Sequence, residues 1–251
     1  MSERQACKAR FLVLSYHNKN PNRPLYTKLL YSTFPIPTID TIYRLVYNET
    51  MSVKTSVKQN ILDSALELFS AKGYEGVAVS ELTASAGITK PTLYYYFGSK
   101  EGLFDVVCQE NYSRLNRTIS TSAIYHANPE NYHEDIYKTL YHLASAYFSF
   151  AFKHEAFYRM AMANLYVPRS SVVFDVIQKY HFEQYEIVGK MFQEMAKFHG
   201  NLKGKDKRLS WSFIGEINAY IGLAFSDTIE TLPDKETIKE FVHQFMHGIY
   251  A

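Results

Sequence analysis

Cysteine is scarce in this chain: Cys7 and Cys108 are the two in 251 residues. Two thiols cannot build a disulfide framework, and no Cys/His metal spacing is present, so a small stapled fold and a zinc-finger site are excluded. Both are expected as free thiols in a reducing cytosol. No run of about 18 consecutive apolar residues occurs, which excludes a membrane-spanning helix. The run Phe11–Leu14 is too short for a signal-peptide core. There is no internal repeat, no low-complexity tract, no Ser/His/Asp arrangement and no phosphate-cradling loop. What the chain does have is aromatic: 21 Tyr and 17 Phe. Its length is enough to bury a sizeable core in one or two domains.

Charge is divided unevenly. Residues 1–50 hold seven Lys/Arg against three Asp/Glu, and the remainder holds 20 against 22. A protein that binds nucleic acid needs a local basic footprint rather than a basic total, and Lys54, Lys58, Lys90 and Lys100 supply one. Pro21, Pro24, Pro35 and Pro37 interrupt any helix in residues 1–50, and no apolar period persists there. This extension is expected to be disordered or not native, with translation starting at Met51. The alternative is a basic arm that touches DNA.

From residue 51 onward every periodic stretch reads as helix. Ser56 and Gln59 form a capping box for a first helix over 57–72, with Ile61, Ala65, Leu68 and Phe69 as its buried stripe. Gly73 ends that helix and Tyr74 folds back on it. Ser80 starts a short second helix to Ala86. Further helices are expected from Lys100 to Ser122 or beyond, from Pro129, over 156–165, over 171–198, over 209–231 and over 235–250.

The stretch LTASAGITKPTLYYYFGSKEGLF, residues 82–104, organises the chain. Gly87 supplies the positive φ of a tight corner between two helices. Thr89 caps the next helix, and Pro91 occupies a first-turn position where a missing N–H costs nothing. Leu93 and Phe97, spaced i and i+4, give this helix one buried face. Thr92, Tyr94, Tyr95 and Tyr96 project elsewhere. Ser99 caps a further helix whose first turn holds Glu101.

The string ILDSALELFSAKGY, the corner AGIT, the helix TLYYYF and the closing SKEGL occur in order. Together they resemble the TetR family of bacterial transcriptional regulators over about Lys58–Leu103. The resemblance implies an all-α fold: residues 51–99 as a three-helix helix-turn-helix domain, and residues 100–251 as a larger ligand-binding and dimerisation domain. It also implies that Thr89, Lys90, Pro91 and Thr92 reach base edges in the major groove. Tyr94, Tyr95 and Tyr96 are expected on phosphates, with Tyr96 alternatively a packing residue. Lys100 corresponds to a family lysine that approaches the DNA backbone, and Lys58 and Ser80 complete the expected DNA surface. One departure stands out. The family usually carries a Thr or Ser pair before the second helix, and this chain has Val77 and Ala78.

Two further regions carry expectations. In the penultimate helix a small stripe of Gly215, Ala219, Gly222 and Ser226 runs beside the apolar stripe, and small side chains let helices approach closely. By resemblance this stripe, with Phe241 and Phe245 of the last helix, pairs with its copy in a homodimer. The middle helices hold Tyr141, Phe148, Phe157, Met160, Asn164, Phe174, Tyr180 and Tyr185. These suit an apolar pocket for a small effector of unknown identity, though each also suits ordinary core. No cofactor is expected. The resemblance implies a cytoplasmic repressor released from a palindromic operator by its effector.

Two rivals remain open. Glu130–His133 and Glu240–His243 have the Glu-x-x-His spacing of di-iron bundles, but neither pair faces a core, and about one such match is expected by chance. The other rival is an interaction protein that kept the fold and lost DNA binding.

Overall fold

The computed structural model describes residues 39–226 and 233–248, with side chains from Ser56 onward except that of Tyr132. Every regular element among these residues is helical. The chain divides at Ser56/Val57 into two units. Residues 1–38, and any role of theirs as an arm, lie outside the described residues.

Helix α1 spans Ile39–Lys72. Its start corrects two expectations, because residues 39–50 are helical and Ser56 lies inside the helix, where it caps nothing. Gly73, at φ +70°, ends it with its N–H on the Phe69 carbonyl. Three short steps follow: α2 (Val79–Ser85), α3 (Lys90–Phe97) and α4 (Lys100–Ser122). Ala78, not Ser80, is the N-cap of α2. Its side chain has no oxygen to offer, so Glu81 supplies the reciprocal contact, accepting the Ala78 N–H at 2.9 Å.

Beyond α4 come α5 (Ile136–Lys153), α6 (Glu155–Asn164), α7 (Phe174–Met195), α8 (Asp206–Phe225) and α9 (Lys235–His247). Pro129 does not start α5, which is preceded by a 3-10 turn over Tyr132–Glu134. α4 packs on α5 and α7, α7 on α8, and α5 on α8 and α9. The connection from α4 to α5 is fixed by one nearly buried carboxylate. Asp135 accepts a hydrogen bond from the Tyr125 hydroxyl and lies 2.7 Å from His199 Nε2, just beyond α7.

The apolar core is continuous from Ile61 to Val242. Phe241 is a correction to the sequence reading. It is buried within the chain, its ring 6.0 Å from Phe148 and 5.6 Å from both Phe213 and Tyr220. The Phe245 ring is edge-on to Phe213 at 4.9 Å and tilted against Phe192 at 6.2 Å. Phe241 therefore lies outside the surface that a second copy could cover, whereas Phe245 is half-buried. The cause is that α9 is short and strongly amphipathic, so Phe241 on its apolar face is taken up by α5 and α8 of its own chain. Cys108 is also fully buried, and burial pushes its thiol pKa up, which leaves it a small apolar packing residue.

Candidate nucleic-acid interface

The corner between α2 and α3 is built by backbone bonds. Gly87 has φ +64°, and the Ile88 N–H reaches back to the Thr83 carbonyl at 2.9 Å. Asn60 Nδ2 donates to the Ala86 carbonyl at 2.9 Å, which ties the corner to α1. On the far side Thr89 is the N-cap of α3 and accepts the Thr92 N–H. The Thr89 and Thr92 hydroxyls are 2.9 Å apart, so the polar end of the half-buried Thr92 is engaged. Pro91 occupies the first turn. Leu93 and Phe97 are buried and anchor the helix from beneath.

The exposed face of α3 is therefore held rigidly. It carries Lys90 and Pro91, with Tyr94 46% and Tyr95 73% exposed. Tyr96 is half-buried, its ring 6.1 Å from Phe97 and edge-on to Tyr95 at 5.2 Å. Gly98, at φ +74°, ends α3, and Ser99 caps α4 by accepting the Gly102 N–H at 3.0 Å. Ser80 is exposed in the first turn of α2.

Lys100 is half-buried, and desolvation lowers its pKa from the usual lysine value, opposed by the charge of Glu75. Lys58 stands apart from this group. Its ammonium lies 4.0 Å from Glu110, ten residues along α4 from Lys100, or about 15 Å at 1.5 Å per residue.

The residues proposed from sequence for an effector are only partly gathered. Phe157, Tyr180 and Tyr185 surround Tyr112 and His181, which sequence reading had not singled out. Tyr112 is 4.9 Å from Phe157 and 6.2 Å from Tyr180. His181 Nδ1 lies 2.8 Å from Gln184 Nε2, and His181 Nε2 lies 3.3 Å from the Tyr185 hydroxyl. Tyr147 donates to Gln184 Oε1 at 3.0 Å. Burial lowers the His181 pKa to about 4, so the ring is neutral in this network. Met160 and Asn164 are buried on α6, where Asn164 Nδ2 donates to the Met160 carbonyl, and Phe174 is half-buried at the start of α7. Phe148 lies instead with Tyr220 and Phe241. Tyr141 is stacked on Tyr137 near α9. Arg159 is tied to the end of α8 by a 2.8 Å bond to the Phe225 carbonyl. Among the described residues no group of three or more His, Cys, Asp or Glu gathers in metal-binding geometry, and Glu130, His133, Glu240 and His243 are all exposed.

A capped short helix, locked from below and presenting Lys, Pro, Thr and Tyr from its solvent face after a glycine corner, defines a helix-turn-helix DNA-binding domain. Residues 61–107 match the model of the bacterial regulatory proteins of the tetR family. The HTH-type transcriptional repressor DhaR of Mycobacterium sp. (strain GP1) is 39% identical over 69 residues, covering 28% of this chain and 35% of that protein. The chain thus spans about a third of that relative's length. IcaR of Staphylococcus aureus (strain Newman), a negative regulator of the biofilm operon icaADBC, is 29% identical over 150 residues, covering 59% of this chain and 73% of IcaR. The crystal structure of FadR from Bacillus subtilis in complex with stearoyl-CoA superposes with a TM-score of 0.61 at 18% identity, covering 76% of this chain and 98% of FadR. Residues 61–107 thus carry the helix-turn-helix segment of the tetR family of bacterial regulatory proteins, and the helical fold around it is shared with solved regulators of that type.

Proposed function

We propose that the protein is a homodimeric, cytoplasmic repressor that binds a palindromic operator and is released from it by a small effector. The observation that carries this reading is the locked α3, whose exposed face offers Lys90, Pro91 and Thr92 at its N-terminal end. Lys90 donates to a guanine edge or a phosphate, while the Thr92 methyl and the Pro91 ring suit a thymine methyl. Ser80, Tyr94, Tyr95, Tyr96 and Lys100 are assigned to the backbone. They position the protein without reading sequence. Lys58 is the weakest member of this set, because it sits beside Glu110.

In this reading residues 51–99 form the DNA-binding domain and residues 100–251 the effector and dimer domain. The dimer contact is assigned to the small face of α8, Gly215, Ala219, Gly222 and Ser226, beside which Trp211 is 54% and Leu223 44% exposed. A lone helix-turn-helix binds weakly, and two copies on a palindrome correct that. The effector is assigned to the aromatic region around Phe157, Tyr180 and Tyr185, with Tyr112 and His181 as the added polar anchors. An apolar or aromatic molecule that prefers one arrangement of α4 against α7 shifts the population away from the DNA-binding state. The DNA half is tested by recovering the fragments that the purified protein retains from random DNA. Enrichment of one palindrome supports the reading, and absence of enrichment defeats it.

A further inference from the structure

A groove of about 410 Å³ lies between α4 and α5, on residues to which sequence reading gave no role. Arg114, Arg117, Lys153 and His154 line it together with Ser149 and Phe150, and no carboxylate does. Glu110 reaches Arg114 at 3.9 Å, but the same carboxylate also serves Lys58. Among the described residues no acid pairs with Arg117 or Lys153. Lys153 alone has an ordinary explanation, since it stands in the last turn of α5, where the helix dipole favours a cation. Arg114 and Arg117 are mid-helix on α4, three residues apart on one face, and like charges so placed repel. His154 registers the resulting field. Its pKa is lowered by burial first and then by Lys153 and Arg114.

We propose that this groove is a site for a small, multiply charged phosphate-bearing ligand. Arg114, Arg117 and Lys153 line it, and guanidinium forks with an ammonium are the donor set that phosphate oxygens require. The Ser149 and Thr118 side chains line the same groove beside the apolar Phe150 and Ala146. Arg114 and Arg117 stand 14 and 17 residues along α4 from Lys100, about 21 and 26 Å away, so the groove is separate from the expected DNA surface while sharing its helix. It adjoins the apolar effector region, since Phe150 is edge-on to Phe157 at 6.2 Å, but shares none of the residues assigned to the effector. It does not depend on the DNA-binding reading, because its occupancy is measured without DNA.

Isothermal titration of the full chain with sodium pyrophosphate, at fixed ionic strength, tests it. Saturable one-site binding is expected, weakened at least about tenfold in the Arg117→Gln/Lys153→Gln double variant. Both positions are exposed, so the fold should persist, and the thermal transition of the free variant checks this. Should the double variant unfold, the single Arg117→Gln variant is expected to lose binding severalfold. No saturable heat, or equal binding by wild type and variant, would overturn the proposal. The competing partner is DNA itself. Titration of a wild-type-selected DNA fragment with the variant should show an unchanged salt slope. A slope reduced by about two would make the groove part of the DNA surface and overturn the proposal as well.

Discussion

The Lys100 ammonium lies 4.1 Å from the centroid of the Tyr74 ring. Tyr74 closes the chain after α1, and its ring packs 5.8 Å from Phe69 and 5.1 Å from Phe104. The cation at the start of α4 is thus carried by an aromatic cluster joining α1 to α4. That contact orients the lysine without cancelling its charge, as a carboxylate partner would.

Lys100→Ala should weaken binding to every DNA sequence alike and reduce the salt slope by about one. Tyr74→Leu keeps the charge and removes its platform. It should cost roughly 1 kcal/mol of stability from the lost ring pairs and give a smaller loss of DNA affinity than Lys100→Ala. Salt-dependent titrations and denaturant unfolding separate the two effects. An unchanged salt slope for Lys100→Ala would remove this lysine from the DNA surface.

Two glycine substitutions should move stability in opposite directions. A Cβ at Gly87 meets nothing within 4 Å, so Gly87→Ala is penalised only by its φ of +64°, by about 1–2 kcal/mol. A Cβ at Gly222 also meets nothing within 4 Å, but that residue is helical, so Gly222→Ala should gain up to about 1 kcal/mol in a single chain. Denaturant midpoints at low protein concentration check both.

Gly222→Leu isolates the dimer. Because the position is open within one chain, the larger side chain should leave the monomer folded. Across a close helix contact, overpacking typically costs about 1–3 kcal/mol per site, and a symmetric dimer presents the site twice. Light scattering should show dissociation, with DNA affinity falling although the residue is far from α3. A variant that stays dimeric with full affinity would place the interface elsewhere.

Acid should destabilise the protein through His181. The unfolded chain binds this proton below the ordinary value of 6.5, whereas the folded chain binds it only below about 4. Between those values the unfolded state holds the extra proton, so stability falls as pH drops through that window, by roughly 3 kcal/mol in full. Above pH 6.5 this contribution is constant. His181→Gln should flatten the acid limb of stability against pH, and an unaltered limb would show that other groups set it.

What could be read from sequence was local. The Gly87 corner, the Thr89 and Ser99 caps and the Leu93/Phe97 anchor each depend on residues within four positions, and all are present. Ser56 misled because a capping pattern does not exclude a helix that began upstream. Ser80 misled because Glu81 can serve the N-terminus of α2 from the other side. Phe241 misled because an apolar helix face looks the same whether its own chain or a second copy covers it. The His181 network and the α4–α5 groove were invisible for a different reason. Tyr112, Tyr147 and His181 come from three helices, and Arg117 and Lys153 from two, so only the packed structure brings them together.

The central claim, that the exposed end of α3 reads bases, is tested most directly by operator selection with wild type, Lys90→Ala, Thr92→Ala and Lys100→Ala side by side. Wild type should enrich one palindrome whose half-sites are separated by about a helical turn or a multiple of it. Lys90→Ala and Thr92→Ala should change the preferred base at defined half-site positions, each by about 1–3 kcal/mol of discrimination, while Lys100→Ala enriches the wild-type sequence more weakly. Enrichment of the same palindrome with undiminished preference at every position by both α3 variants would contradict the account.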